Sequence, residues 1–192
     1  MHNNFKGTDL DSLINKLYFE FPAAKKILLE HSRQVAAMAL DINAEKNLGL
    51  DPGMIQYAAM AHDIGIVFTD APGIGCYGRA PYICHGVLGG DALRGNNAPE
   101  WAARVAERHT GAGLTQSDIA IQNLPLPAGR CLMPESLLEK LICYADKFYS
   151  KRPGHLNERS SIEKVRTSML KHGTDALNRF EVLHSLFGKE QA

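Results

Sequence analysis

The sequence lacks a paired cysteine motif, a long apolar run and any surplus of charge. Its four cysteines, at positions 76, 84, 131 and 143, form no C-x-x-C pair that would indicate a zinc knuckle or a redox centre. No apolar run approaches the roughly 18 residues of a membrane span. The polar start MHNNFKGTDLDS has no apolar core of the kind found in signal peptides. We therefore expect a cytoplasmic protein with free thiols.

The chain has equal numbers of basic and acidic residues, which bears on the partners it can bind. The 21 Lys and Arg residues offset the 21 Asp and Glu residues, and 45% of the 192 residues are apolar. A neutral chain presents no broad surface to nucleic acid or to an anionic membrane. A chain of this length can bury a sizeable core. We expect one domain over 1–192 that binds a small molecule, with no nucleic-acid or membrane partner.

Apolar residues recur at helical spacing along most of the chain, and strand-like alternation is nearly absent. Pro22 and Pro52 are typical of first helical turns, and Pro153-Gly154 ends a helix. The pattern predicts an all-α fold, a bundle of about seven or eight helices. They span roughly 8–19 with Thr8 as the cap, 22–47, 51–64, 83–94, 98–110, 134–151, 157–171 and 174–187, with one short helix near 115–121 in an otherwise loop-like 114–134.

Five of these helices carry a histidine or an aspartate where an apolar face would continue. His31 lies between Ile27 and Val35 on one such stripe. The others are His62, His85, His109 and Asp146, and Asp63 adjoins His62 in the stretch AHDIG.

For any one of these histidines alone, a hydrogen-bonded core residue is the usual explanation. That explanation weakens when a histidine or an aspartate stands on the apolar face of several helices. A buried ionised aspartate, in addition, must be paired or bound to a cation. Imidazole and carboxylate together suit Fe, Mn, Zn, Co or Ni better than Ca or Mg. His184 also lies near an apolar stripe but has no aspartate neighbour, so we expect it to be a core or surface residue.

The ordered set of one histidine, then His-Asp, two further histidines and a final aspartate resembles the HD-domain superfamily of metal-dependent phosphohydrolases. AHDIG is similar to the motif of its HDIG subgroup, and the resemblance covers about 22–152. It implies an HD-type helical bundle with 157–187 packing on that core. By position, it implies metal ligands at His31, His62, Asp63 and Asp146, and a second ion at His85 and His109 with Asp63 bridging.

Three further segments are similar to the bacterial HD-type hydrolases that split diadenosine tetraphosphate symmetrically: CHGVLGGDAL, RHTGAG and EKLICYADKFYS. The stretch between Gly65 and His85 and the longer segment 114–134 depart from that pattern. Both are expected to border the pocket, so they bear on the substrate more than on the chemistry.

The implied reaction is cleavage of a nucleotide phosphoanhydride by a metal-activated hydroxide, with a dinucleoside polyphosphate as the leading substrate. It would use two divalent transition ions, iron first, with Mn, Zn, Co or Ni as alternatives. Asp63, His85 and Lys147 are the expected catalytic residues, with Lys147 either contacting a phosphate or lying solvated. Arg79, Arg108 and Arg130 are either ligands of distal phosphates or surface residues. Tyr77 and Tyr82 either stack on a base or pack within the protein.

Three other functions remain open at this point. A nucleoside monophosphate phosphomonoesterase would need a single ion, with His85 and His109 outside its coordination sphere. A non-catalytic nucleotide-binding protein would have no need for buried aspartates. A dinuclear iron oxygenase would use the same histidines. A homodimer is also left open.

Overall fold

The computed structural model describes residues 9–189 and confirms the all-α prediction. Its nine α-helices are joined by short 3₁₀ turns and one small hairpin. They are α1 Leu10–Leu17, α2 Pro22–Glu45, α3 Pro52–Ala61, α4 His85–Gly95, α5 Glu100–Arg108, α6 Gln116–Ile121, α7 Leu137–Asp146, α8 Ile162–Leu170 and α9 Thr174–Phe187. The predicted Thr8 cap lies outside the described residues, and within them Asp9 caps α1. No helix in 9–189 is long and apolar enough to cross a membrane.

The long helix α2 forms the centre of the bundle and packs against α3 and α7. Pro22 occupies its first turn, where a missing N–H costs nothing. Its buried face includes Leu28, Val35 and Ala39, and His31 lies on that same face. The C-terminal helices α8 and α9 place Val165, Met169 and Phe180 in the apolar cluster that also holds Val35 and Ile142.

Helix α3 is shorter than predicted, which corrects the expected end at Ile64. The α-helix ends at Ala61 with His62 as its cap, and a 3₁₀ helix follows over Ile64–Phe68. The chain tightens because Asp63, at φ −103° and ψ 10°, has left the helical conformation. His62 and Asp63 consequently lie at a helix end rather than inside a helix.

Two other predicted helices were too long. The segment predicted as 134–151 is helical only over Leu137–Asp146, with Ser136 as its cap. The segment predicted as 157–171 begins at Ile162, where Ser161 caps it. In both cases a serine accepts a hydrogen bond from the third backbone N–H of the helix, and this cap outweighs apolar spacing in setting the start.

The glycine-rich loop after the 3₁₀ helix contains the only regular strands among residues 9–189. Strand β1, Asp70–Ala71, pairs antiparallel with strand β2, Cys76–Tyr77. Gly75 makes the return possible because it adopts a left-handed conformation at φ 77°. All four cysteines are free, as predicted.

Glycines set how closely the 3₁₀ helix, α4 and α5 approach one another. A β-carbon on Gly65 would lie 2.2 Å from the carbonyl oxygen of His85. On the other side of α4, β-carbons on Gly86 and Gly90 would meet the carbonyls of Ala106 and Ala103 at 2.7 and 3.0 Å. These contacts bring three backbone segments together where a larger residue would hold them apart.

Candidate metal centre

The six predicted residues converge on one buried cluster. His31 projects from the middle of α2, and the other five lie at helix boundaries. His62 caps α3 and Asp63 follows it, His85 begins α4, His109 caps α5, and Asp146 ends α7. All six are buried. Their ligand atoms form two groups that share Asp63: His31, His62, Asp63 and Asp146 in one, and Asp63, His85 and His109 in the other.

Asp63 presents its two carboxylate oxygens to the two groups separately. Its Oδ2 lies 3.1 Å from His31 Nε2 and 3.0 Å from His62 Nε2. Its Oδ1 lies 3.4 Å from His85 Nε2 and 3.3 Å from His109 Nε2. Asp63 is therefore the residue that the two groups of possible metal ligands have in common.

Three of the histidines are oriented by the same local hydrogen bond. The Nδ1 atoms of His62, His85 and His109 donate to the carbonyl oxygens three residues earlier, at 2.6, 2.7 and 2.8 Å. Carbonyls at the end of a helix lack partners within the helix, so the rings satisfy them. In His85 and His109, whose pKa values are lowered, a proton held on Nδ1 leaves the Nε2 lone pair free to face the cluster. His31 has no such partner within residues 9–189.

The contact between His85 and His109 tests whether a cation fits. Their Nε2 atoms lie 3.0 Å apart. Burial lowers the pKa of His85 to about 3 and also lowers the pKa of His109, so both rings are neutral near pH 7. With both Nδ1 atoms acting as donors, two lone pairs face each other at hydrogen-bond distance. A cation bound to both nitrogens removes that repulsion, and the residues therefore fit a divalent metal.

Charges around the cluster keep both aspartates ionised. Burial favours the neutral acid, but His62 and Lys151 outweigh it and hold the pKa of Asp63 well below its usual range. Lys147 and Lys151 do the same for Asp146. Burial acts to lower the pKa of His62, yet Asp63 and Asp146 raise it to about 9. The two ionised aspartates thus place negative charge beside the histidine nitrogens of the cluster.

Two lysines border the cluster. Lys147, with a side chain only 8% exposed, lies 2.6 Å from Asp146 Oδ2 and donates to the carbonyl oxygen of His109. The Lys147 side chain is therefore largely buried and paired rather than solvated, and its contact with a phosphate stays a prediction. Lys151 was not predicted, although its Nζ lies 2.7 Å from Asp63 Oδ2 and 3.7 Å from Asp146 Oδ1.

Sequence spacing carries no signal for Lys151, because it lies in the chain that turns back after α7 has ended. Helical periodicity would have placed it on a different face from Asp146.

The predicted arginines lie outside the cluster. Arg108 pairs with Glu135 and Glu139, and Arg130 pairs with Glu107 and Asp91. Arg79 is exposed. Of the two tyrosines, Tyr77 is 68% exposed, whereas Tyr82 stacks on the ring of His85 with centroids 4.7 Å apart.

A cavity of about 310 Å³ opens beside the cluster. Tyr82 and Lys151 line it, together with Ala71 and Gly73 of the hairpin loop and with Ser150 and Arg152. We call it the entry cavity. Lys151 lines this cavity and also contacts Asp63, so a ligand in the cavity that binds Lys151 would lie next to the cluster.

Comparison with known proteins identifies the family. The HD domain matches residues 28–150, a range that contains all six clustered residues. The chain belongs to the HD domain family. The match ends one residue before Lys151.

Three curated proteins are similar to this HD protein over part of their length. A tRNA (cytidine(56)-2'-O)-methyltransferase of Thermoplasma volcanium is 29% identical over 162 residues, which are 84% of this chain and 42% of that enzyme. The enzyme of the same name from Picrophilus torridus is 27% identical over 84% of this chain and 41% of its own length. An uncharacterized protein of Methanocaldococcus jannaschii is 32% identical over 65% of this chain and 69% of its own.

The chain thus spans about two fifths of the length of the two methyltransferases. No solved structure gives a significant match.

Proposed function

We propose that this HD protein is a metal-dependent phosphohydrolase with two divalent ions, acting on a nucleotide phosphoanhydride. The observation that carries the proposal is the division of Asp63 between two sets of histidines, Oδ2 facing His31 and His62 and Oδ1 facing His85 and His109. A single-ion site would need only one of these sets.

The residues divide into two ligand groups. His31, His62, Asp63 and Asp146 would hold the first ion, and Asp63, His85 and His109 the second. Divalent ions in such a pair supply a water of lowered pKa and neutralise charge on phosphoryl oxygens. This donor set suits iron first, and also Mn, Zn, Co or Ni.

The protein's own task is to position the substrate and to supply positive charge. His62, His85 and His109 are locked by their Nδ1 hydrogen bonds, so their rings need no reorganisation when a substrate arrives. Lys147 and Lys151 present ammonium groups beside the carboxylates, where phosphoryl oxygens would lie. Phosphoryl transfer depends mainly on positioning and electrostatics of this kind.

The favoured substrate is a dinucleoside polyphosphate, on the resemblance of the segments around His85, His109 and Asp146 to diadenosine tetraphosphate hydrolases. In that reaction a water oxygen bonds to phosphorus, one P–O–P bridge opens, and two ADP molecules leave. The entry cavity, at about 310 Å³, lies at the lower end of the range for small-molecule sites. The methyl transfer named for the Thermoplasma and Picrophilus enzymes belongs to proteins more than twice as long as the matched segment.

Product analysis tests the proposal directly. Protein reconstituted anaerobically with Fe²⁺ or Mn²⁺ is incubated with diadenosine tetraphosphate, and in parallel with AMP. Release of ADP as the only nucleotide product supports the phosphoanhydride reaction. Phosphate from AMP with no ADP from the dinucleotide would favour the phosphomonoesterase. A metal-loaded protein that cleaves neither would be a binding protein, and an activity that requires oxygen would indicate an oxygenase.

A further inference from the structure

A second and larger cavity lies on the other side of the chain that follows α7. Its volume is about 540 Å³, and α8 forms much of its wall. Four basic side chains line it: Lys147, Arg152, Lys164 and Lys171. We call it the basic cavity. No aspartate or glutamate is among its lining residues, although the whole chain has equal numbers of acidic and basic residues.

Three of the four cations of this cavity differ from most arginines of the protein in having no acidic partner, whereas the fourth, Lys147, pairs with Asp146. Arg94, Arg104, Arg108, Arg130, Arg166 and Arg179 each lie within 4 Å of a carboxylate. Within residues 9–189, no carboxylate lies that close to Arg152, Lys164 or Lys171 in any ion pair of the structure. Glu158 pairs with His155, which lines the cavity. The charges of Arg152, Lys164 and Lys171 are therefore available to an anionic ligand.

Helix α8 places its two lysines on one face. Lys164 and Lys171 are seven residues apart, or about two turns and about 10 Å along the axis. Ser168 lies between them on the same face, four residues after Lys164, and also lines the cavity. Two unpartnered ammonium groups at this spacing, with a hydroxyl between them, match an extended anion with several oxygens rather than a single small one.

The basic cavity adjoins the candidate metal centre at Lys147 and shares two lining residues with the entry cavity. Lys147 lines the cavity and also lies 2.6 Å from Asp146 Oδ2. Ser150 and Arg152 line both the basic cavity and the entry cavity. A chain of phosphates with one group at the metal centre can therefore extend past Lys147 and Arg152 toward α8.

We propose that the basic cavity is a subsite for the phosphate groups of the substrate beyond the one that is cleaved. This inference rests on the proposed phosphohydrolase function and deepens it: the substrate class is a compound with a chain of phosphates, not a monophosphate ester. Arg108 and Arg130, which the sequence offered for this role, are neutralised by their own glutamates and aspartate.

Binding of inorganic tripolyphosphate to the metal-free protein tests the subsite without requiring catalysis. Isothermal titration at fixed ionic strength would compare wild type with Lys164→Gln/Lys171→Gln, whose two lysines are exposed and dispensable for the core. A matched control removes the same charge at the same spacing on another helix, Lys26→Gln/Arg33→Gln on α2, where Glu30 lines the same surface hollow. Far-ultraviolet circular dichroism and metal content per chain are measured for all three proteins.

The expected result is an affinity for tripolyphosphate at least tenfold weaker in the α8 variant and unchanged in the α2 control. Equal losses in both variants, or no loss in either, would overturn the subsite. In the metal-loaded enzyme, the α8 variant should raise the KM for diadenosine tetraphosphate, and the α2 control should leave it unchanged. An equal rise in both variants would also contradict the subsite.

The two proposals fail separately. A protein that binds no metal but binds tripolyphosphate at α8 would refute the hydrolase and retain the anion site. A metal-loaded hydrolase whose affinity for tripolyphosphate is unchanged by the two α8 substitutions would refute the anion site and retain the hydrolase.

Discussion

Gly65 and Gly89 lie so close that a β-carbon on Gly65 would be 2.4 Å from the backbone nitrogen of Gly89. The glycine of the AHDIG stretch therefore lets the 3₁₀ helix lie against the first turns of α4. That contact fixes the distance between Asp63 and His85, which come from these two segments.

Replacement of Gly65 by alanine should destabilise the protein by about 3 kcal/mol, because the added methyl group meets backbone that cannot rotate away. It should also lower the metal content, since His85 is displaced. Urea unfolding and elemental analysis would measure the two effects. Gly95→Ala is the matched control: its β-carbon meets nothing within 4 Å, and it should stabilise α4 by about 0.5 kcal/mol. Equal stability of the two variants would contradict this account of Gly65.

Asp63→Ala should abolish tight metal binding and turnover together, because both ligand groups share this carboxylate. Asp70→Ala, which removes an exposed aspartate seven residues later, should change neither. Titration of the metal-free proteins with Mn²⁺ and a hydrolysis assay give the two readings. Full phosphohydrolase activity in Asp63→Ala would rule out the assigned centre.

His85→Gln and His109→Gln should each reduce the metal content from two ions to one per chain. The first group, His31, His62, Asp63 and Asp146, keeps all its ligand atoms in these variants. His172→Gln, at an exposed position on the surface, is the control. If the stoichiometry stays at one in wild type and in all three variants, the second ion does not exist and the single-ion phosphomonoesterase becomes the better hypothesis.

Lys151→Met should destabilise the metal-free protein by about 3 kcal/mol, because it removes the ammonium group that pairs with the buried Asp63 and lies near Asp146. The difference from wild type should shrink when divalent ions are added, since they supply the missing charge. Thermal unfolding with and without Mn²⁺ measures this, with Lys26→Met as the exposed control. A loss that is equally large with and without metal would show that Lys151 serves only the fold.

Glu139 gives a dependence of stability on pH that is separate from the metal centre. Burial acts to raise its pKa, but the hydrogen bond from the Glu135 backbone and the pairing with Arg108 outweigh this and lower it below 4.5. A carboxyl with a lowered folded-state pKa stabilises the protein above its unfolded pKa, and this contribution is lost as the pH falls through the folded value.

Glu139→Gln should therefore cost about 2 kcal/mol at pH 7, and the cost should fall as the pH drops through the lowered pKa of Glu139. Glu181→Gln, in a half-exposed pair with Arg166, should cost less than about 1 kcal/mol at pH 7. Denaturant unfolding across this pH range checks both values. A cost for Glu139→Gln that is constant with pH would contradict the assignment.

The inward direction of several polar side chains could be predicted from the helical periodicity of the sequence. His31, His109 and Asp146 stand where an apolar stripe continues, so their inward direction followed from spacing alone, and the structure brings them together with His62, Asp63 and His85. His62 and Asp63 reach the same cluster from a helix end, which falls at Ala61 rather than at the predicted Ile64.

Other features depend on the path of the chain outside its helices, which spacing does not encode. Lys151 reaches Asp63 because the chain turns back after α7. The basic cavity forms where that turn meets α8, and the pairing of Arg130 with Glu107 joins two segments 23 residues apart. These contacts arise from tertiary packing, so local patterns carried no signal for them.

The most direct test of the account is the number of metal ions per chain, measured by elemental analysis on protein purified without chelators or a metal affinity column. The account predicts close to two transition-metal ions, because Asp63 divides its oxygens between two sets of histidines. A chain that binds no ion, even when Fe²⁺ or Mn²⁺ is offered without oxygen, would mean that the six residues are polar members of the core and that the proposed hydrolase is wrong.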